Sequence, residues 1–323
     1  MNFEAYKRFC KELLASERGS RLVRLDCMNP PKALSALAPK LPESPPVREA
    51  RELERAWREA FGLPSTGTEA QVLFGRGVRD LLRLLVQHFA REGRVLHAPS
   101  DVYPVYLVLA AEAGLPVQPF PTCPAPMLPA QAPGAAPEVM LLPEPLVPLG
   151  RVLSEAETRA LEAWLGADPR RLLVLDAVYT FAPRFTAATE QLLRTGQALL
   201  VHSLAKGHLT PDLAGFALVP GAVARGLEGG QVPPLDPLAL RQACFLLEHH
   251  RELPARVQAR FDEQWGRVRE ALGSPPFELP RTGYFSTSPL SFEALLERGW
   301  LAVPGSVFGP PEARWSAVTC LLG

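Results

Sequence analysis

Apolar residues along the chain fall into short continuous runs separated by stretches with helical spacing. "REARELERAWREAFGL" (48–63) carries its apolar residues at helical intervals, and Gly62 can stop it. "QVLFGRGVRDLLRLLVQHFAREG" (71–93) reads as a short strand, a glycine turn and an amphipathic helix. "RVLHAPS" (94–100) is a strand, and "YPVYLVLAAEAG" (103–114) is a helix ending at Gly114. "SEAETRALEAWLG" (154–166) opens with Ser154 and Glu157 at the spacing of a capping box. "RLLVLDAVYTF" (171–181) is an apolar strand ending in a polar cluster, and "TEQLLRTG" (189–196) is a helix. The run Ala198 to Val201 then breaks into Ser203-Leu204-Ala205-Lys206-Gly207, and apolar sequence resumes at Phe216.

Strands that are nearly all apolar and alternate with helices predict an α/β fold, a mostly parallel sheet sandwiched by helices. From Leu240 to Gly273 the pattern is helical. The short strands "GYFSTSP" and "WLAVPGSVF", the helical piece "SFEALLERG" and a last strand, "ARWSAVTCLL", follow. The expected organisation is a large α/β domain over 46–240, with 1–45 and 241–323 forming a small α+β domain.

Composition narrows the function classes. Of 323 residues, 47% are hydrophobic, and Lys plus Arg balance Asp plus Glu at 34 each. A net charge of zero leaves no electrostatic footprint for nucleic acid or an anionic membrane. No stretch approaches the roughly 20 apolar residues of a membrane helix. "MNFEAYKRFCKELL" lacks the apolar core of a signal peptide, so a cytoplasmic protein is expected. The five cysteines form no CxxC pair, which points to neither a disulfide framework nor a metal site. Of 35 prolines, eleven lie between Pro116 and Pro148, which reads as an extended connector containing one short strand, Val139 to Leu142.

The unusual polar clusters all sit at strand ends: Gly75–Arg79, Ser100–Tyr103, Asp176–Tyr179 and Ser203–Lys206. In open α/β sheets, ligands bind beyond the carboxyl ends of the strands. A lysine in such a turn also fits an ordinary surface loop, since lysine is rarely buried without a partner. The recurrence of polar clusters at four strand ends is what points to a site.

The order of these clusters resembles that of the fold-type I pyridoxal-phosphate (PLP) enzymes, specifically the class I/II aminotransferases and their histidinol-phosphate aminotransferase-like branch. "GRGVRDLLRLL", "PSDVYPVY", "LDAVYTF", "SLAKGHLTPDLAG", "LLERGWLAVPGSVFG" and "ARWSAV" occur in the family's order, from about Leu41 to Leu322. The resemblance implies PLP as cofactor and amino-group transfer between an amino acid and a 2-oxo acid. It implies a homodimer, because the family's sites lie at the subunit interface. Lys206 matches the Schiff-base lysine. Desolvation suits that role, because a lysine amine must be neutral to attack an aldehyde. Asp176 matches the carboxylate under the pyridine nitrogen, Tyr179 the phenol on the ring's O3', and Tyr103 the aromatic that stacks on the ring. Gly77, Val78 and Arg79 open the helix whose N-terminus matches the phosphate site, and Ser203 matches a hydroxyl contact to the same group. Arg314 matches the arginine that grips the substrate's α-carboxylate as a planar fork.

Three positions depart from the family pattern. Val147 stands where an asparagine supports O3', Ala214 where an arginine clamps the phosphate, and Leu41 where a tyrosine reaches the partner subunit's phosphate. Arg76, Arg79 and His208 are the candidates to replace a lost phosphate contact. Decarboxylase or lyase chemistry, or a degenerate member that binds without turnover, are the alternatives within the resemblance. "SLAK" and "RTG" also match fragments of a serine β-lactamase pattern, but Gly207 and the preceding strand put Lys206 off a helix. "EHHRE" (248–252) reads as a solvated helix, since adjacent histidines face different ways. "GRGVRD" is no dinucleotide fingerprint, because Asp80 stands in place of the third glycine.

Overall fold

The computed structural model describes residues 2–63, 70–102, 104–129, 135–227, 234–273, 275, 277–309 and 313–321. Its largest sheet has seven strands: β2 (Gln71–Gly75), β3 (Val95–Pro99), β4 (Val117–Phe120), β5 (Glu138–Pro143), β6 (Leu172–Asp176), β7 (Ala198–Ser203) and β8 (Gly215–Val219). Their spatial order is β2-β8-β7-β6-β5-β3-β4. All run parallel except β8, which is antiparallel to both its neighbours. A short strand preceding them, β1 (Val23–Arg24), belongs elsewhere.

The alternation along each strand decides what lies on each face. Leu173, Leu175 and Leu200 pack with Trp57, Trp164 and Leu247 on one side. Val174, Leu199 and Val201 pack with Leu81, Phe89 and Leu109 on the other. Each residue of β5, β6, β7 and β8 is buried, as a sheet covered by helices on both faces requires. The helix Ala50–Phe61 ends at Gly62 in the left-handed conformation (φ 68°), and Ser154 with Glu157 forms the capping box of the helix Glu155–Gly166.

Three details differ from the pattern-based expectation. The proline connector holds a second strand, β4. Pro119 is tolerated there because β4 is the sheet's edge and one side of its backbone needs no ladder partner. The strand expected over 171–181 stops at Asp176, where the chain leaves the sheet in a turn. The helical stretch after Leu240 is two helices, Pro237–His249 and Leu253–Leu272, separated at 250–252.

A second core joins the chain's two ends. Tyr6, Leu25 and Leu34 pack with Phe261, Leu295, Val303 and Val318. Here β1 pairs in parallel with β10 (Trp300–Leu301), while β12 (Ser316–Thr319) lies between β9 (Phe285–Ser288) and β11 (Val303–Pro304). The far edge of the main sheet is closed by a buried polar network rather than a site. Arg171, fully buried, donates to Glu138 from Nε at 2.8 Å and to the Trp164 carbonyl from Nη1 at 2.8 Å, and His97 Nε2 lies 3.0 Å from Glu138. No helix among the described residues is long and apolar enough to cross a membrane.

Candidate active site

Because β2, β3, β5, β6 and β7 are parallel, their last residues, Gly75, Pro99, Pro143, Asp176 and Ser203, share one sheet edge. A cleft of about 760 Å³ opens there, lined by Asp176, Tyr179, Lys206, Val78 and Arg79 from the sheet domain. Its other wall comes from the small lobe and includes Tyr6, Arg24 and Phe285.

Asp176 is buried at the floor. The Tyr106 hydroxyl donates to its Oδ2 at 2.8 Å, and the Val178 amide donates to Oδ1 at 3.1 Å. Burial pushes its carboxyl up to about 6 despite both hydrogen bonds. No cation among the described residues forms an ion pair with it, so the carboxylate lacks the charge partner that its burial calls for.

Lys206 lies in the turn 204–208 after β7, and burial lowers its pKa from the ordinary lysine range. Its Nζ stands 5.9 Å from the centre of the Tyr179 ring. The turn is tied down by Leu204, whose amide donates to the Ala214 carbonyl (3.1 Å) and whose own carbonyl accepts from His208 (3.1 Å). Leu209 closes it in the left-handed conformation at φ 57°, a strained state for a leucine. Gly207 is required by proximity: a Cβ there would lie 2.7 Å from the Thr180 carbonyl oxygen. That close approach is what seats the lysine turn against the segment carrying Tyr179.

The helix end of the cleft is built from glycines. Gly75 pairs with Gly215 across β2 and β8, and a Cβ on Gly215 would meet the Gly77 backbone at 2.6 Å. Gly77 then caps the helix Val78–Arg91, whose first-turn amides have no partners within the helix. Ser203 pairs with the same Gly215 from β7 and is buried. Neither Gly77 nor Ser203 lines the cleft itself; they form the backing of its helix end.

Of the proposed substitutes for the missing phosphate contacts, only Arg79 lines the cleft. Arg76 is exposed and away from it. His208 is buried on the opposite side of the turn, 6.1 Å from the Phe61 ring, with neither ring nitrogen hydrogen-bonded among the described residues. Packing against aromatic side chains, not phosphate, explains its position. Val147 lines the cleft, and Ala214 is part of the core beneath it. Arg314 is exposed and outside the cleft lining, one residue before Trp315, whose ring stacks on cleft-lining Phe308 at 6.2 Å. Tyr103 lies outside the described residues.

Two features escaped the sequence reading. Tyr106 follows Tyr103 by three positions in "YPVY", the spacing of one helical face, so a signal was present. The small-lobe wall had none, since its residues are far from Lys206 in sequence.

Solved structures share this architecture. A substrate-bound BacF from Bacillus subtilis is 17% identical with a TM-score of 0.73, over 100% of this chain and 92% of that one. YbdL from Escherichia coli, described with a methionine aminotransferase function, is 17% identical with a TM-score of 0.73, over 99% and 92%. A probable N-succinyldiaminopimelate aminotransferase from Thermus thermophilus is 20% identical with a TM-score of 0.73, over 99% and 94%. The chain therefore has the fold of the type I PLP-dependent transferases, a mixed, mostly parallel sheet between helices. No protein-family model matches the sequence, and no curated protein matches it.

Proposed function

We propose that this protein is a PLP-dependent aminotransferase of class I/II, in the histidinol-phosphate aminotransferase-like branch that its motif order resembles. It moves an amino group between an amino acid and a 2-oxo acid. The observation that carries this reading is the pairing, in one cleft, of a buried carboxylate without a cationic partner and a desolvated lysine. The fold neighbours named as aminotransferases support it.

The donor set fits the cofactor. Asp176 offers a buried anion for a protonated pyridine nitrogen and Tyr179 a phenol for the ring oxygen, while Tyr103, which the resemblance assigns to the ring face, lies outside the described residues. Gly77, Val78 and Arg79 at a helix N-terminus, backed by Ser203, suit a phosphate. When bound, PLP supplies the aldehyde that takes up the amino group and a ring that delocalises the electron pair left at the substrate's Cα. Asp176 keeps a proton on the ring nitrogen, held in place by the Tyr106 hydroxyl and the Val178 amide. Lys206 is the residue that would hold the cofactor's aldehyde, and its amine, kept neutral by burial, would take the proton from the substrate's Cα. Arg314 is the residue that the resemblance assigns to the substrate's α-carboxylate, although it lies outside the cleft lining. The protein acts in the cytoplasm as a homodimer, with 46–240 as the cofactor-binding domain and 1–45 with 241–323 as the small one.

The test is reduction by borohydride after incubation with PLP, followed by peptide mass analysis beside Lys206→Ala. A pyridoxyl group on Lys206 in the wild type, absent from the variant, is the expected result. Amino-acid screening then separates transfer from decarboxylation or elimination. No adduct would mean that Val147 and Ala214 mark a member of the fold that has lost the cofactor.

A further inference from the structure

Behind Tyr179 stands a second tyrosine that does not reach the cleft. Tyr284 is fully buried and is not part of the cleft lining. Its ring centre lies 6.0 Å from that of Tyr179, with 47° between the planes, and the two side chains are hydrogen-bonded. The Tyr284 hydroxyl also donates to the carbonyl of cleft-lining Met28 at 3.2 Å. Tyr179 follows β6 of the main sheet, whereas Tyr284 precedes β9 in the second core, so the contact joins the two.

Tyr284 has little freedom to move. Its ring packs on Phe285 at 4.4 Å, Phe261 at 5.3 Å and Phe181 at 6.1 Å. The residue before it, Gly283, adopts φ 73°, donates from its amide to Gln258 Oε1 at 2.8 Å and accepts from Trp265 Nε1 at 3.2 Å. Burial holds the Tyr284 phenol well above the ordinary tyrosine value, so it keeps its proton. The titratable groups beside it are Tyr179, Cys27 and Cys320.

A hydroxyl has one proton to give and two lone pairs with which to receive. While Tyr284 donates to Met28, its oxygen can accept the proton of Tyr179. An anionic acceptor in the cleft draws that proton more strongly than a phenol does. The Tyr179 oxygen is then free to accept from Tyr284, and hydrogen bonds in a chain polarise one another. Tyr179 thereby becomes a stronger donor than it is alone. Val147 lines the same cleft where the resemblance expects an asparagine, and its side chain has no hydrogen bond to give.

We propose that Tyr284 is a positioning residue that aims the Tyr179 proton at the cofactor's ring oxygen and offsets the donor lost at Val147. This rests on the aminotransferase reading, which places PLP in the cleft. Tyr284 acts only through Tyr179 and touches no cofactor.

The experiment compares PLP with 3-deoxypyridoxal phosphate, an analogue without the ring oxygen. Dissociation constants are measured by fluorescence, without turnover, for the wild type, Tyr284→Phe, Tyr179→Phe and the double variant. Tyr284→Phe keeps the ring that its aromatic neighbours pack against, and its thermal midpoint verifies that it folds. It is expected to weaken PLP binding about three- to tenfold and to leave the analogue within about twofold of the wild type. In the Tyr179→Phe background the same substitution has no further effect. The pH midpoint of the lysine-bound cofactor's visible absorption rises by about half to one unit in Tyr284→Phe, because the ring oxygen then carries its negative charge less readily. Equal weakening of PLP and the analogue, additive effects in the double variant, or an unmoved midpoint overturns the proposal and leaves the aminotransferase standing. Absence of a pyridoxyl group on Lys206 of the wild type overturns the parent reading, and this inference falls with it.

Discussion

The Tyr106 hydroxyl donates a 2.8 Å hydrogen bond to the buried Asp176 carboxylate. Tyr106 is itself buried, on the helix Val105–Ala113 that covers the sheet beside β3. The bond stabilises the ionised form of Asp176, against a burial that favours the neutral one. It thus acts on the protonation of the group that is proposed to hold the cofactor's ring nitrogen.

Removing that donor is the first prediction. A hydrogen bond to a charged group contributes about 1.5–3 kcal/mol. Tyr106→Phe is expected to weaken PLP retention by roughly tenfold or more, measured as the cofactor's dissociation constant by fluorescence. Its activity profile should also need higher pH to reach its plateau. Unchanged retention and an unchanged profile would show that Asp176 does not depend on the bond.

The raised Asp176 carboxyl makes a pH prediction for the cofactor-free protein. Its pKa rises on folding from 3.8 to about 6, so between these values the folded state holds a proton that the unfolded state has lost. Stability therefore falls as pH rises through that window, by on the order of 3 kcal/mol once pH passes it. Denaturant titrations at pH 4 and 7 should show Asp176→Asn losing less over this interval than the wild type. A wild type that gains relative to the variant would refute the assignment. Adding PLP should shrink the difference, because the carboxylate then has its cationic partner.

His208 has the opposite sign. Burial pushes it down to about 3, so the folded protein refuses a proton that the unfolded chain accepts below its ordinary value of 6.5. Stability is complete above 6.5 and is lost as pH falls toward 3. His208→Leu removes both the titration and two unpartnered buried nitrogens. It is expected to stabilise at neutral pH by about 1–3 kcal/mol, and by about 2 kcal/mol more at pH 5. Thermal unfolding at the two pH values checks this; equal gains at both would mean that His208 is already protonated when folded.

Gly207 tests the seating of the lysine turn. In Gly207→Ala the new Cβ meets the Thr180 carbonyl, backbone that cannot turn aside as a side chain could. A cost of about 1–3 kcal/mol is expected, together with at least a tenfold fall in the rate at which Lys206 takes up PLP. Retained stability and uptake would show that the two turns are looser than the close approach implies.

The sheet and the core of the site follow from local pattern. Uninterrupted apolar runs alternating with helices force parallel strands, and parallel strands carry their ends to one edge. Asp176, Tyr179 and Lys206 each follow such a run, so they come to the same end of the sheet, where they line one cleft. The strand β4 was hidden because prolines argue against a strand unless it is known to lie at an edge, and edge position is a property of the assembled sheet. The course of the proline connector and the break at 250–252 were likewise set by packing.

What only the tertiary structure decided is the identity of the neighbours. His208, two residues from Lys206, turned away into an aromatic pocket, while Tyr106 came from another helix to reach Asp176. The second wall was least legible. It depends on the two-residue pairing of Val23–Arg24 with Trp300–Leu301, joining opposite ends of the chain. So short a strand has no periodicity of its own to read, and its partner is chosen by the buried core around Tyr6, Leu25 and Val303 rather than by local sequence. The sheet side of this cleft is thus written in the order of the strands, whereas its second wall exists only once the two ends of the chain have packed together.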